Sequence, residues 1–345
     1  MPRCLESVLL VALLGPTPAT ARDAPEPLSS ARLQAAAAYS AGHGGLALLI
    51  QQDGRTLVEN YGGGHRSSSQ HRIYSGTKGF WGLAALKAHE DGILDLDDRV
   101  SKHVPAWNTD SRKDHATLEQ LLLFNSGLEA MKPIHEDNLA NRDQMGIDAS
   151  MVAHPGRSFI YGPAPLQVFH HVLSQHLLKK GERPYTYLEK EILAPMGLGR
   201  QRYIPDKAGN PLLAAGFMMT ARQWSHMGDV LIAGGRPILS ARSFEQLYRG
   251  SSANRAYGFG FWNNRAADGR RAREIDIETE LSRHWWEQDW KNACLCRDAP
   301  EDLLACIGSN SQRLYAVPSL GLVIVRQGTD RGFSDAAFLR LLFLE

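Results

Sequence analysis

Residues 75–92 read Ser75-Gly76-Thr77-Lys78-Gly79-Phe80-Trp81-Gly82-Leu83-Ala84-Ala85-Leu86-Lys87-Ala88-His89-Glu90-Asp91-Gly92. Apolar residues from Phe80 to His89 recur at helical spacing, and Asp91-Gly92 supplies a stop. Ser75 therefore stands at the start of a helix. Positions i and i+3 share a helical face, so the Ser75 hydroxyl and the Lys78 amine are expected to be neighbours. A neutral lysine beside a serine can accept its proton and leave an alkoxide-like nucleophile. The helix start adds the positive end of the dipole and a backbone N–H able to hold an oxyanion.

Outward from this stretch the two chain ends match in character. On the N-terminal side, Leu28 to Ser40 is Ala-rich and reads as a helix. Gly45 to Gln52 and Thr56 to Tyr61 read as strands joined by the turn Asp53-Gly54. On the C-terminal side, Tyr257 to Trp262, Arg313 to Val317 and Leu322 to Gln327 read as strands. Pro318-Ser319-Leu320-Gly321 joins the last two as a hairpin loop, and Ser334 is a candidate N-cap for a final helix, Asp335 to Leu344. Between the two ends the signals are mostly helical, clearest at 118–124, 166–178, 187–193 and 221–233. The expected fold is α/β in the α+β sense. One antiparallel sheet is built from both terminal segments and flanked by helices, with a mostly helical domain inserted. The discontinuous sheet domain covers 28–72 and 235–345, and the helical domain covers 73–234.

Composition narrows the function. Of 345 residues, 38 are Lys or Arg and 37 are Asp or Glu, for a net charge of +1. That balance argues against a nucleic-acid partner or a polybasic membrane surface. The segment Val8 to Leu14, followed by Ala19-Thr20-Ala21, has the form of a cleavable leader over residues 1–21 and predicts export to the periplasm or medium. No other stretch is apolar enough to span a membrane. Cys294, Cys296 and Cys306 remain beyond the leader, and export would permit a disulfide from Cys294 or Cys296 to Cys306. His170, His171 and His176 lack zinc-site spacing. The Trp-rich stretch Glu278 to Pro300 has no clear place in this scheme.

The order of several further segments resembles the serine β-lactamase-related superfamily. S-x-x-K is the nucleophile motif of β-lactamases and penicillin-binding proteins. Leu121-Leu122-Leu123-Phe124-Asn125-Ser126-Gly127-Leu128 resembles the L-L-x-H-T-S-G-L segment, and Tyr161-Gly162-Pro163 stands where class-C-like members carry Y-x-N. Ala194-Pro195-Met196-Gly197-Leu198, Gly216 to Ala221 and Tyr257 to Trp262 are similar to later family segments. Cys306-Ile307-Gly308 occupies the K-T-G or H-x-G place, and Gln312-Arg313 follows as in the branch that includes 6-aminohexanoate-dimer hydrolase. The resemblance implies a β-lactamase/transpeptidase-like fold and acyl-enzyme chemistry on a small-molecule or peptide-like ester or amide.

It also implies roles. Ser75 is the nucleophile, and Lys78 and Tyr161 shuttle protons, each needing a perturbed pKa to act as a base near neutrality. Gly308, Ser309, Gln312 and Arg313 form the oxyanion and substrate-binding wall, with Arg313 a candidate for holding an anionic group. No metal or organic cofactor is implied. Two residues depart from the pattern: Pro163 replaces the Y-x-N asparagine, and Cys306 replaces the cation of the third motif. These departures leave three readings: a general ester or amide hydrolase, a true β-lactamase or D-alanyl-D-alanine peptidase, and a non-catalytic ligand-binding protein of the same fold.

Overall fold

The computed structural model describes residues 28–329 and 331–344. The leader expected over 1–21 lies outside the described residues. The chain opens with helix α1 (Ser30–Gly42) and the hairpin β1 (Gly45–Gln52) and β2 (Arg55–Tyr61). The hairpin turn places Asp53 and Gly54 at φ 48° and 74°, the paired left-handed conformation that Asp-Gly favours. A short strand β3 (His71–Arg72) leads into the helix α2 (Thr77–Glu90). Helices α3 (Leu118–Leu122), α4 (Arg142–Asp148), α5 (Pro163–Leu178) and α6 (Pro184–Leu188) follow, the last running into a π-helical turn at Glu189–Leu193. Strand β4 (Met218–Met219) pairs with β3 before α7 (Ala221–Ile232) and α8 (Ala241–Arg249).

The chain then returns to the sheet through β5 (Tyr257–Gly258) and β6 (Phe261–Asn263). A small parallel pair, β7 (Arg273–Glu274) and β8 (Ala293–Cys294), brackets helix α9 (Ile277–Ser282). Strands β9 (Leu304–Gly308), β10 (Gln312–Val317) and β11 (Leu322–Gly328) precede the final helix α10 (Asp335–Phe343). The main sheet has seven strands in the order β2-β1-β11-β10-β9-β6-β5, antiparallel throughout. Strand β1 lies directly against β11, with Ile50 opposite Ile324, so the two ends of the chain do share one sheet. Helices α1 and α10 pack on each other, and Arg32 of α1 donates to the Leu342 carbonyl of α10 at 3.3 Å.

Three elements differ from the sequence reading. Tyr257 to Trp262 is two short strands folded on each other, because Phe259 and Gly260 take φ of 48° and 95° and reverse the chain. Strand β9 was hidden in the sequence by its brevity and by the Cys306-Ile307-Gly308 motif it carries. Helix α7, read as part of the helical domain, packs against β10 and β11 and belongs with the sheet. Cys294, Cys296 and Cys306 are all free, so the disulfide considered from sequence does not form.

Helix α2 is the hub between the two regions. From Thr77 to Leu86 every residue is buried, as a helix apolar on all sides requires. Two glycines permit the close packing. A Cβ on Gly82 would stand 1.7 Å from the Phe259 carbonyl oxygen, and one on Gly79 would stand 2.9 Å from Cys306 Sγ. The start of α2 is thus fixed against the β5–β6 turn and against β9.

Candidate active site

Ser75 sits in a 3₁₀ turn, Tyr74–Gly76, immediately before α2. The turn is clamped from three sides. Ile73 N–H donates to the Phe217 carbonyl at 3.1 Å, and Gly76 N–H donates back to Ile73 at 2.9 Å. Gly308 at the end of β9 lies so close that a Cβ there would meet the Ile73 carbonyl oxygen at 2.0 Å. Glycine at 308 is therefore the residue that lets the strand touch the turn carrying Ser75. Tyr74 is held at φ 45°, a left-handed conformation that costs a non-glycine residue about 1–3 kcal/mol. Strain of this kind persists only where surrounding contacts over-determine the backbone.

Lys78 lies one helical turn on and is buried. Its Nζ donates to Ser75 Oγ at 2.7 Å and to the Ala214 carbonyl at 2.7 Å. It makes no ion pair with a carboxylate among the described residues. Burial without a countercharge pushes the amine down to about 7. The neutral amine is thereby accessible near neutral pH, and it can accept a proton from Ser75.

Tyr161 closes the group. Its hydroxyl lies on the Ser75 side of the group, close enough to act on the Ser75 side chain electrostatically. Its ring centre lies 4.6 Å from Lys78 Nζ. The ring sits in an aromatic wall, 4.7 Å from Phe124, 5.9 Å from Tyr257 and 6.2 Å from Trp262 between centroids. The Phe124 carbonyl accepts from Ile160 N–H at 2.7 Å and ties the segment before Tyr161 to the Leu121–Leu128 segment. The sequence reading needed the phenol lowered if it was to act as a base. Burial instead raises it well above its ordinary value. A protonated phenol beside an amine lowered toward neutrality can donate a proton, and such an amine can accept one.

The strand wall differs from the sequence expectation at two residues. Gln312 and Arg313 are fully buried. Gln312 Nε2 donates to the carbonyls of Asn310 and Gly328 at 2.7 Å and of Ser309 at 3.3 Å. Arg313 forms a forked pair with Asp335 at 2.6 and 3.1 Å, pairs with Glu278 at 2.8 Å, and donates to the Gly308 carbonyl at 3.1 Å. Neither side chain is directed at a ligand. Both act on the backbone that turns from Gly308 to Ser311, where Asn310 and Ser311 take φ of 60° and 61°. Ser309 is exposed at the start of that turn. Cys306 is buried with its thiol donating to the Gly76 carbonyl at 3.2 Å, and burial pushes it up to about 12. It is a neutral packing residue, and the third motif presents no cation from this position.

Residues 31–325 match the family described as Beta-lactamase. The chain belongs to the Beta-lactamase family. Among relatives, Protein flp of Staphylococcus aureus (strain MRSA252) is 31% identical over 135 residues, 34% of this chain and 27% of that protein. The matched stretch thus spans about a quarter of that relative's length. Among solved structures, EstCE1, a hydrolase with promiscuous acyltransferase activity, superposes with a TM-score of 0.64 at 19% identity, covering 90% of this chain and 95% of that one. A Bacillus anthracis structure named for 6-aminohexanoate-dimer hydrolase gives 0.62 at 18% identity, covering 87% and 77%. At these identities the superpositions establish a common fold.

Two participants in this Beta-lactamase family site escaped sequence reasoning. The Ala214 carbonyl, which orients Lys78, is a backbone group and leaves no residue-type signal. Glu278 comes from the Trp-rich stretch that had no assigned place. Its Oε2 accepts from Ser311 N–H at 3.0 Å and faces Arg313, so the stretch is tied to the turn after Gly308.

Proposed function

We propose that this chain is an exported serine hydrolase that forms an acyl-enzyme on ester or amide substrates, with Ser75 as nucleophile. The observation that carries the reading is the 2.7 Å contact from buried Lys78 Nζ to Ser75 Oγ, with no carboxylate among the described residues paired to the amine. As Ser75 Oγ bonds to the substrate carbonyl carbon, its proton passes to neutral Lys78. The ammonium returns a proton through the Tyr161 hydroxyl to the leaving alcohol or amine as the scissile bond breaks. The backbone N–H groups of Ser75 and Ser309 are the candidate oxyanion donors. Water, deprotonated by the same pair, attacks the acyl carbon, and Ser75 regains its proton. Export rests on the form of residues 1–21.

The neutral Cys306 and the inward-turned Arg313 favour ester and amide substrates over carboxylate-bearing β-lactams. The test is a comparison of substrates on the mature protein. Turnover of 4-nitrophenyl esters without a lasting penicillin adduct is the expected result. Acylation or hydrolysis of penicillin at a higher kcat/KM than any ester would replace this reading with the β-lactamase or peptidase one. Inertness toward both classes in a folded protein would favour a ligand-binding role.

A further inference from the structure

A groove of about 750 Å³ opens beside the aromatic wall, between residues 157–159, the loop 252–255 and the Trp-rich segment 285–292. Its floor packs against the aromatic wall that holds Tyr161. Buried Trp290 packs 5.1 Å from Phe159 and 5.2 Å from Trp262 between centroids, and Phe159 stands 6.1 Å from Tyr161. Three properties of the groove need explanation together. First, it is cationic. Arg157, Arg255 and Lys291 are exposed along it and form no ion pair among the described residues. Asp289, the one carboxylate of its lining, is already paired with Arg273 at 3.2 Å. Second, it offers flat surfaces. Trp286 is 62% exposed, an unusual state for an indole, and is stacked on His284 at 4.5 Å with the rings 5° apart. Trp285 meets it edge-on at 5.3 Å. Third, Asn254 in the lining is 1% exposed, yet its Nδ2 has no hydrogen-bond partner among the described residues. A buried amide donor is costly to leave unpaired.

Free guanidinium groups pair with carboxylates in forked geometry, and indole faces favour planar or ring-shaped groups. An unpartnered donor calls for an acceptor oxygen. The geometry points to a binding subsite for a ring that bears a carboxylate, presented by a substrate whose scissile carbonyl lies at Ser75. This inference rests on the hydrolase reading for its link to turnover. Two sources share the chemistry, an aryl acid and a sugar acid.

Isothermal titration calorimetry of the mature protein with 2-naphthoate and with glucuronate, each against its neutral counterpart 2-naphthamide or glucose, tests it. One acid is expected to bind one-to-one and at least tenfold tighter than its neutral counterpart, and which acid does so identifies the source. The double substitution Arg157→Ala and Arg255→Ala is expected to remove at least tenfold of that affinity. Both arginines are exposed, so the fold is not at stake, and the melting temperature checks this. Neither acid exceeding its neutral counterpart, or full affinity in the double variant, overturns the proposal. Binding is read without turnover, so either result leaves the Ser75 chemistry to be judged by its own test.

Discussion

The two walls of the cleft put their charge to different uses. On the helix wall, Lys78 is buried without an anion, touches Ser75, and is held near the point where it changes protonation. On the strand wall, Arg313 is equally buried but is enclosed by Asp335 and Glu278, which keep it charged and face it away from substrate. One cation is left without an ion pair among the described residues, the state a proton acceptor needs. The other is fully paired and becomes structural. The lesson is that a basic residue in a family motif position has no fixed role, because its partners determine whether it moves protons or holds backbone.

The largest expected effect tests the helix wall. Ser75→Ala should reduce ester turnover by at least about a thousandfold while leaving the circular dichroism spectrum and melting temperature near the parent's. Turnover close to the parent's would remove Ser75 from the mechanism and erase the distinction between the walls. The state of Lys78 gives the second test. Since its pKa lies near 7, the reactive neutral form grows as pH rises through that value. The second-order acylation rate should therefore climb across pH 6–8 and level off above, as a base lowered from its ordinary value of about 10.4 requires. A rate still rising tenfold per unit at pH 9 would show an unperturbed lysine.

The strand wall makes a different demand. Arg313→Met leaves buried Asp335 without its ion-pair partner, still accepting from the Tyr315 hydroxyl, and should lower stability by about 3–5 kcal/mol, read from urea unfolding. A stable variant with a raised KM alone would instead mark Arg313 as a substrate ligand. Tyr161→Phe should slow acylation by about ten- to a hundredfold, since it removes the proton relay and leaves the base in place. The smallest effect concerns Cys306. A thiol pushed up to about 12 and buried should resist iodoacetamide in the native protein at pH 7.5 and react only after unfolding. Rapid native labelling at Cys306 would show an open, activated strand wall.

The helix wall was legible in the sequence because its chemistry is local. Ser75 and Lys78 are three residues apart, and the periodic apolar run after them fixes the helix that brings them together. The sheet was legible for a similar reason: the Asp53-Gly54 turn, the β10–β11 hairpin and the Ser334 N-cap, which accepts from Ala337 N–H, are short-range signals. The partners of Arg313 were not. Asp335 and Glu278 lie 22 and 35 residues away in the chain, and no local pattern announces a buried pair formed across a sheet. The direction of the Tyr161 shift was missed for the same reason. Its environment is built from Phe124, Tyr257 and Trp262, which only the folded chain assembles.

The central claim is that Ser75, activated by its buried lysine, is a live nucleophile. The most direct measurement is the intact mass of the protein and of Ser75→Ala after treatment with a fluorophosphonate. The account requires a single phosphonate adduct on the parent, mapped to Ser75, and none on the variant. An unmodified parent, or an adduct that survives the Ser75→Ala change, would contradict it.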